Sequence, residues 1–196
     1  MIKNRITPER YAALKKAYGR HASWAVWGEG GDVYNPAVIE QALPRLHAGY
    51  VFVGLNASQD LKGLAPWTNY HHRHQGSREK IFAPVFGAPP TGGAYMTDIV
   101  KDCPFSSTAE VLEYLKEDTA ALDRNIKTLV KELAALGPVG KIILIGGAAK
   151  TIWESRCREL GHPACAITHF SARGSAFPDN APGELRKIAA CPCAGR

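Results

Sequence analysis

Tyr50-Val51-Phe52-Val53-Gly54-Leu55 is a continuous apolar run rich in β-branched and aromatic residues, which is typical of a strand buried on both faces of a sheet. Similar runs at 94–100, 141–145 and 164–168 predict three more strands. Segments with helical spacing lie between these runs, and this alternation indicates a parallel sheet covered by helices. We expect a three-layer α/β/α sandwich with a central, mainly four-stranded parallel sheet.

The helices are predicted from capping signals and from the spacing of apolar residues. Thr7-Pro8 and Asn35-Pro36 each place a capping residue before a proline, which predicts a helix from 8 and another from 36 to about 49. Further helices are expected across 77–85, from 106–108 to 115, from 118 or 119 to 136, across 148–160 and across 182–190.

The composition excludes several classes of protein. The 196 residues include 24 Lys and Arg, 18 Asp and Glu and 45% hydrophobic residues, a balance typical of a globular domain and not of a disordered chain. At this length we expect a single domain, residues 1–196. No apolar run reaches the roughly 20 residues that a membrane helix needs, and the first residues lack a signal-peptide pattern. We therefore expect a soluble, cytoplasmic monomer that binds no membrane.

Charge and cysteine content indicate the kind of partner. The net charge of +6 favours an anionic partner, with nucleic acid the leading candidate. The five cysteines are odd in number and widely spaced, so we expect free thiols. Only Cys191-Pro192-Cys193 approaches the paired spacing of a metal site, and the neighbouring histidines of 71–74 rarely converge on one ion. We expect no metal and no cofactor.

Ligands of open parallel sheets gather at the carboxyl ends of the strands, so the residues that follow each run are candidates for a functional site. Asn56 and His169 follow the first and last runs, and Gly146-Gly147 follows the third. Each has a structural alternative: the amide and the imidazole can satisfy a turn or a strand end. The glycines either cradle a phosphate or allow tight packing.

The irregular stretch 61–90 contributes two aromatic candidates, Trp67 and Tyr70. An aromatic ring in such a loop either fills the core or forms a platform on which a nucleic-acid base stacks. The sequence leaves both interpretations open.

Four short motifs, in this order, resemble the uracil-DNA glycosylase superfamily. Val53-Gly54-Leu55-Asn56-Ala57-Ser58 resembles G-x-N-P-G, the first motif of the single-strand-selective and mismatch-type branches. Residues 95–101, Tyr-Met-Thr-Asp-Ile-Val-Lys, are similar to Y-I-T-N-V-V-K of the thermostable branch. Residues 136–149 resemble the third strand and the helix after it. His169-Phe170-Ser171-Ala172-Arg173 is similar to the second motif, H-P-S-P-R.

The resemblance covers most of the chain from Tyr50 to Arg173 and implies the fold and the activity of that superfamily. It implies a monofunctional DNA repair glycosylase, which flips uracil or another deaminated or damaged base out of single- or double-stranded DNA and hydrolyses its N-glycosidic bond. By this resemblance, His169 donates a hydrogen bond to the departing base, and Asn56, assisted by Asp60, holds the attacking water.

The same resemblance implies two sets of binding residues. The flipped base is expected to contact Gly54, Leu55, Asp98 and either Trp67 or Tyr70. The DNA backbone is expected to contact Ser58, Lys101, Ser171 and Arg173, and the alternative role for Arg173 is to fill the gap left by the flipped base.

Three residues depart from the superfamily's motifs. Ala57 and Phe170 replace prolines, and Asp98 replaces an asparagine that pairs with uracil. An ionised Asp98 only accepts hydrogen bonds and suits a base that presents donors, whereas a protonated one can also pair with uracil or hypoxanthine. The departures keep two alternatives open: a DNA-binding relative that has lost catalysis, and a hydrolase of small nucleosides or other N-glycosides. An unrelated small-molecule α/β enzyme is a further alternative.

Overall fold

The computed structural model describes residues 4–28, 36–71, 79–101, 103–171 and 176–191. Within them the chain forms one five-stranded sheet. Its strands are β1 (Ser23–Trp24), β2 (His47–Asn56), β3 (Ala94–Val100), β4 (Lys141–Ile145) and β5 (Ala164–Ile167). The helices are α1 (Pro8–Tyr18), α2 (Pro36–Gln41), α3 (Glu79–Phe86), α4 (Thr108–Glu117), α5 (Thr119–Leu136), α6 (Gly147–Arg156) and α7 (Ala176–Ala190). Short 3-10 turns span Leu43–Arg45 and Arg158–Leu160.

The strands lie in the order β1-β3-β2-β4-β5. β2 is central and pairs in parallel with β3 on one side and with β4 on the other, and β5 continues the parallel sheet beyond β4. β1 is a two-residue antiparallel strand at the edge of β3. The predicted α/β alternation and the largely parallel sheet are confirmed.

Helices cover both faces of this sheet. On one face, Val53 and Leu144 belong to a core that includes buried residues of α1, α4, α5 and α6. On the other face, Phe52 and Ile143 belong to a core with α3 and α7. Neighbouring residues of β2 therefore enter opposite cores, which explains why the run is apolar without interruption.

Several helices begin where capping chemistry predicts. The Thr7 hydroxyl accepts a hydrogen bond from the backbone N–H of Arg10, at 3.3 Å, and Pro8 occupies the first turn of α1. Ser107 forms a reciprocal capping box with Glu110 at the start of α4. The Asp118 carboxylate accepts from the N–H of Ala121, at 3.0 Å, and caps α5.

The structure corrects the predicted second helix. Residues 47–49 were expected at its end, but α2 ends at Gln41 and His47 begins β2. The reason is tertiary: the backbone N–H of His47 donates to the Gly93 carbonyl and that of Ala48 to the Asn4 carbonyl, at 3.0 and 2.8 Å. These partners are distant in the chain, so no local pattern indicates them.

The last helix is longer than predicted, and β1 was not predicted. α7 begins at Ala176 and contains Pro182, the expected start, in its interior. Its first turn is held by packing, since the fully buried ring of Phe177 lies 5.6 Å from the ring of Phe86 in α3, centroid to centroid. Among the described residues, no helix combines the length and the apolar character needed to cross a membrane.

Candidate functional site

The register of the sheet aligns the two leading candidates at its carboxyl edge. Val53 of β2 pairs with Leu144 of β4, and Leu144 pairs with Ala166 of β5. Asn56 is the last residue of β2 and His169 follows the end of β5 by two residues, so both lie at the carboxyl edge of the sheet. With β4 between their strands, the two backbones are separated by about 10 Å.

His169 carries its proton on a defined nitrogen. The backbone N–H of Ser171 donates to Nδ1 of His169 at 3.1 Å, and the Ser171 hydroxyl lies 2.6 Å from the same atom. A backbone N–H can only donate, so Nδ1 is an acceptor and the neutral imidazole carries its proton on Nε2. Burial lowers the pKa of His169 below its ordinary value, which keeps the ring neutral near pH 7. The half-buried His169 is therefore an oriented, uncharged hydrogen-bond donor.

The His169 ring is held between Gly146 and Phe170. The ring stacks on Phe170 with centroids 4.2 Å apart and planes inclined by 27°. Gly146 follows β4 with a φ of +88°, and a Cβ built on it would lie 3.0 Å from Cβ and Cδ2 of His169. The positive φ and the close approach of His169 account for the glycine at this position.

The side-chain amide of Asn56 is oriented by three carbonyl groups. Its Nδ2 lies 2.9 Å from the carbonyl oxygen of Ala57, 2.7 Å from that of Cys103 and 2.9 Å from that of Phe105. Because carbonyl oxygens only accept hydrogen bonds, these three contacts fix which end of the amide is nitrogen. Within the described part of the chain, Oδ1 makes no hydrogen bond, so it is an available acceptor on a half-buried side chain.

The turn after β2 places Ser58 and Asp60 at the surface, where both side chains are exposed. Oδ1 of Asp60 accepts a hydrogen bond from the backbone N–H of Lys62, at 2.8 Å, which closes the turn. Asp60 is thus held by its own loop, and its second oxygen faces solvent or a ligand.

Asp98 is buried and both of its oxygens are engaged. Oδ2 accepts from Nδ2 of Asn69 at 2.8 Å, and Oδ1 lies 2.7 Å from the hydroxyl of Tyr70. That hydroxyl also lies 2.8 Å from the carbonyl oxygen of Thr97. Tyr70 therefore has one hydroxyl proton and two acceptors within reach.

Burial raises the pKa of Asp98 above its ordinary value, against the opposing effect of the hydrogen bonds that Tyr70 and Asn69 donate to it. The same burial, together with the nearby carboxyl of Asp98, raises the pKa of Tyr70 well above its ordinary value.

Gly54 makes room for this cluster. A Cβ built on Gly54 would lie 2.3 Å from Oδ1 of Asp98 and 2.5 Å from the Tyr70 oxygen, both far inside contact distance. The glycine of the first motif therefore admits the Asp98–Tyr70 pair to the end of β2 and β3.

Replacing Asp98 by Asn is expected to make stability less dependent on pH. The raised pKa means that the folded protein holds the Asp98 proton more tightly than the unfolded chain. The wild type therefore loses stability as the pH rises above the ordinary aspartate pKa of about 4. Asn cannot ionise, and its amide can donate to Tyr70 and accept from Asn69.

The test is the free energy of unfolding in urea, measured for D98N and wild type at about pH 4.5 and about pH 8. The free energy of unfolding of D98N minus that of the wild type should be larger at the higher pH. Every other titrating group is common to both proteins and cancels in this difference. Parallel pH profiles for the two proteins would contradict the raised pKa of Asp98.

Besides Gly54 and Asp98, three more of the expected binding residues lie inside the protein. Trp67 is fully buried, and its Nε1 donates to the Tyr11 hydroxyl at 3.0 Å. Leu55 is buried in the core on the α1 and α5 side of the sheet. The Lys101 ammonium bonds to Oε2 of Glu132 at 2.7 Å, so it is directed away from any DNA phosphate. Of the two aromatic candidates, Tyr70 is the residue that is only partly buried.

The partners of these residues were not predicted from the sequence. Asn69 holds Asp98, and Glu132 holds both Lys101 and the Tyr95 hydroxyl, the latter at 2.8 Å. The sequence pattern indicates that Glu132 is buried, because its spacing places it on the same helical face as the buried leucines of α5, which are Leu129, Leu133 and Leu136. A carboxylate on an apolar stripe indicates a buried partner.

Some expected features fall outside the described residues, namely Arg173 and the histidines after 71. Among the residues that are described, no group of three His, Cys, Asp or Glu side chains could hold a metal ion.

No protein-family model matches this chain, and no curated protein matches it either.

Proposed function

We propose that this protein is a DNA glycosylase that hydrolyses the N-glycosidic bond of uracil or another deaminated base extruded from DNA. The observation that supports it most is the neutral His169 imidazole at the carboxyl edge of the sheet, with its acceptor nitrogen occupied by Ser171 and its donor nitrogen defined. The departing base gains negative charge as the glycosidic bond breaks. A positioned neutral imidazole stabilises that charge by donating a hydrogen bond to the base.

The chemistry divides between His169 and Asn56. The C1′–N bond breaks with its electron pair passing to the base, and His169 Nε2–H donates a hydrogen bond to the base oxygen that gathers charge. Water then bonds to C1′ and its proton passes to the departing base. Oδ1 of Asn56, held by the carbonyl contacts of its amide nitrogen, accepts a hydrogen bond from that water. The exposed part of the Tyr70 ring serves as the stacking surface.

A second candidate function is DNA binding without base excision. It is favoured by the engagement of both Asp98 oxygens with Asn69 and Tyr70, because an engaged carboxyl offers no free edge to a base. If the glycosylase function holds, base selection therefore depends on backbone groups and on Tyr70 more than on Asp98.

The deciding experiment measures base release from labelled oligonucleotides that carry uracil, hypoxanthine, xanthine or mismatched thymine, single- and double-stranded, followed by alkaline cleavage. Strand cleavage at one of these bases is the expected result and establishes the glycosylase class. Intact substrates at stoichiometric protein, with salt-sensitive DNA binding retained, would replace the proposal by the binding function. Turnover of free nucleosides without DNA binding would favour the nucleoside hydrolase alternative.

A further inference from the structure

Glu184 of α7 holds the chain at the residue just before His169. Its Oε2 accepts a hydrogen bond from the backbone N–H of Thr168, and its Oε1 accepts one from the Thr168 hydroxyl, both at 2.8 Å. Thr168 and Glu184 are both half-buried. A carboxylate that accepts two hydrogen bonds from one residue fixes the orientation of that residue as well as its distance.

Strand pairing ends just before this contact. The parallel pairing of β4 with β5 stops at Ile145 and Ile167, and β5 is the last strand in the order of the described sheet. The N–H of Thr168 is the next backbone donor along the chain, and a backbone N–H that is shielded from water needs an acceptor. Glu184 provides that acceptor, so α7 supports the chain where the sheet no longer does.

The same helix also contacts the residue just after His169. The ring of Phe170, on which His169 stacks, lies against the ring of Phe177, with centroids 6.4 Å apart and planes at 87°. Phe177 and Glu184 are about two turns apart on one face of α7. This face therefore holds the chain on both sides of His169.

We propose that Glu184 is a positioning residue for His169, because its two hydrogen bonds to Thr168 hold the strand end that carries the imidazole. Thr168 and His169 share a peptide bond, so a shift of one displaces the other. A misplacement of about 1 Å in an active site can lower a rate by up to about 10²-fold. This role rests on the proposed function, since the ring that Glu184 orients is the proposed donor to the departing base.

The first test compares the rates of single-turnover base release of Glu184→Ala and Glu184→Gln. The alanine variant loses both acceptors and is expected to release bases about 10-fold more slowly, with DNA affinity within about 3-fold of wild type. The glutamine variant keeps an acceptor for the Thr168 N–H, and its amide can donate to the hydroxyl, so it should recover most of the rate. Glu159→Ala removes an exposed carboxylate from the 3-10 turn before β5 and is the matched control, with the wild-type rate expected.

The second test observes the His169 ring by NMR without any substrate, at about pH 8, where a histidine of lowered pKa is neutral. In the wild type the Ser171 N–H donates to Nδ1, so the two ring nitrogens should have well-separated chemical shifts. Loss of Glu184 should loosen this contact, and exchange between the two neutral tautomers would bring the two shifts closer together. The spectrum of H169A assigns the signals, and Glu184→Gln should keep the wild-type separation.

Two more variants separate positioning from stability. Thr168→Val removes only the hydroxyl contact and should lower the rate by about 3-fold, which provides a test even if Glu184→Ala folds poorly. Adding Glu184→Ala to H169A should lower the rate no further, because a residue that acts through His169 has no effect once the imidazole is gone.

The outcomes separate the positioning role from the glycosylase activity. A wild-type rate and wild-type ring-nitrogen shifts in Glu184→Ala overturn the positioning role and leave the proposed function standing. An equal loss in Glu184→Gln assigns the effect to charge and overturns the role, and so does a further loss in the double variant. Altered ring-nitrogen shifts in Glu184→Ala, with no base release by the wild type from any substrate, support the role of Glu184 in orienting His169 and refute the glycosylase activity.

Discussion

Replacement of His169 by Ala is expected to lower the rate of base release by about 10²-fold or more, while the affinity for DNA stays within about 3-fold. The variant loses the Nε2–H donor that stabilises the departing base, and this interaction strengthens only as the glycosidic bond breaks. It keeps the cations expected to hold the DNA backbone. Single-turnover rates on the preferred substrate, compared with binding by fluorescence anisotropy, measure the two effects separately.

His162→Ala is the control for this variant. His162 lies just before β5, at the amino edge of the sheet, and, like His169, it has a pKa lowered by burial. Its removal should leave the rate of base release unchanged. If H169A released bases at the wild-type rate, His169 would have no part in the chemistry.

Replacement of Glu132 by Ala is expected to destabilise the fold by about 3–5 kcal/mol, because it leaves the Lys101 ammonium buried without its counter-charge. The side chains of Lys101 and Glu132 are 6% and 0% exposed, and their charged atoms are 2.7 Å apart. The Tyr95 hydroxyl, whose pKa is raised by burial and by the nearby Glu132 carboxylate, loses its partner as well. Urea unfolding at neutral pH gives the free energy difference.

Two further variants make this prediction specific. Lys131→Ala changes an exposed neighbour on the same helix and should alter the free energy of unfolding by no more than about 0.5 kcal/mol. Replacing Lys101 by Met together with Glu132 by Leu removes both charges and should recover most of the loss. A loss below about 1 kcal/mol for E132A would mean that the ammonium reaches water in the variant.

The fold was largely predictable because β2 to β5 are apolar runs bounded by turn and capping residues. β1 was not predictable, because a strand of two residues is too short to show an alternation of apolar and polar residues. Ser23 and Trp24 form a strand only by pairing with Met96 and Tyr95. The first residues of β2 were missed for a related reason. His47 and Gly49 lack the apolar pattern, and distant backbone partners extend the strand.

The candidate site was predictable in position and less so in its contacts. Asn56 and His169 lie at strand ends, where the topology of a parallel sheet places ligands. The partners of Asp98 come from a loop in which Trp67 and Tyr70 have φ values of +70° and +69°, a conformation that non-glycine residues rarely adopt and no local pattern predicts. Lys101 was expected at the surface because its partner, Glu132, lies 31 residues further along the chain.

The central position of β2 has a consequence for the newly made chain. Tyr50 to Val53 pair with β4, whose first residue, Lys141, is added roughly 90 residues later. At about 5–20 residues per second, the ribosome leaves one edge of the central strand without backbone partners for many seconds. Such an edge is a template for pairing with other chains. A nascent chain stalled before β4 is therefore a natural client for chaperones, and the sheet is completed only after most of the protein has been synthesised.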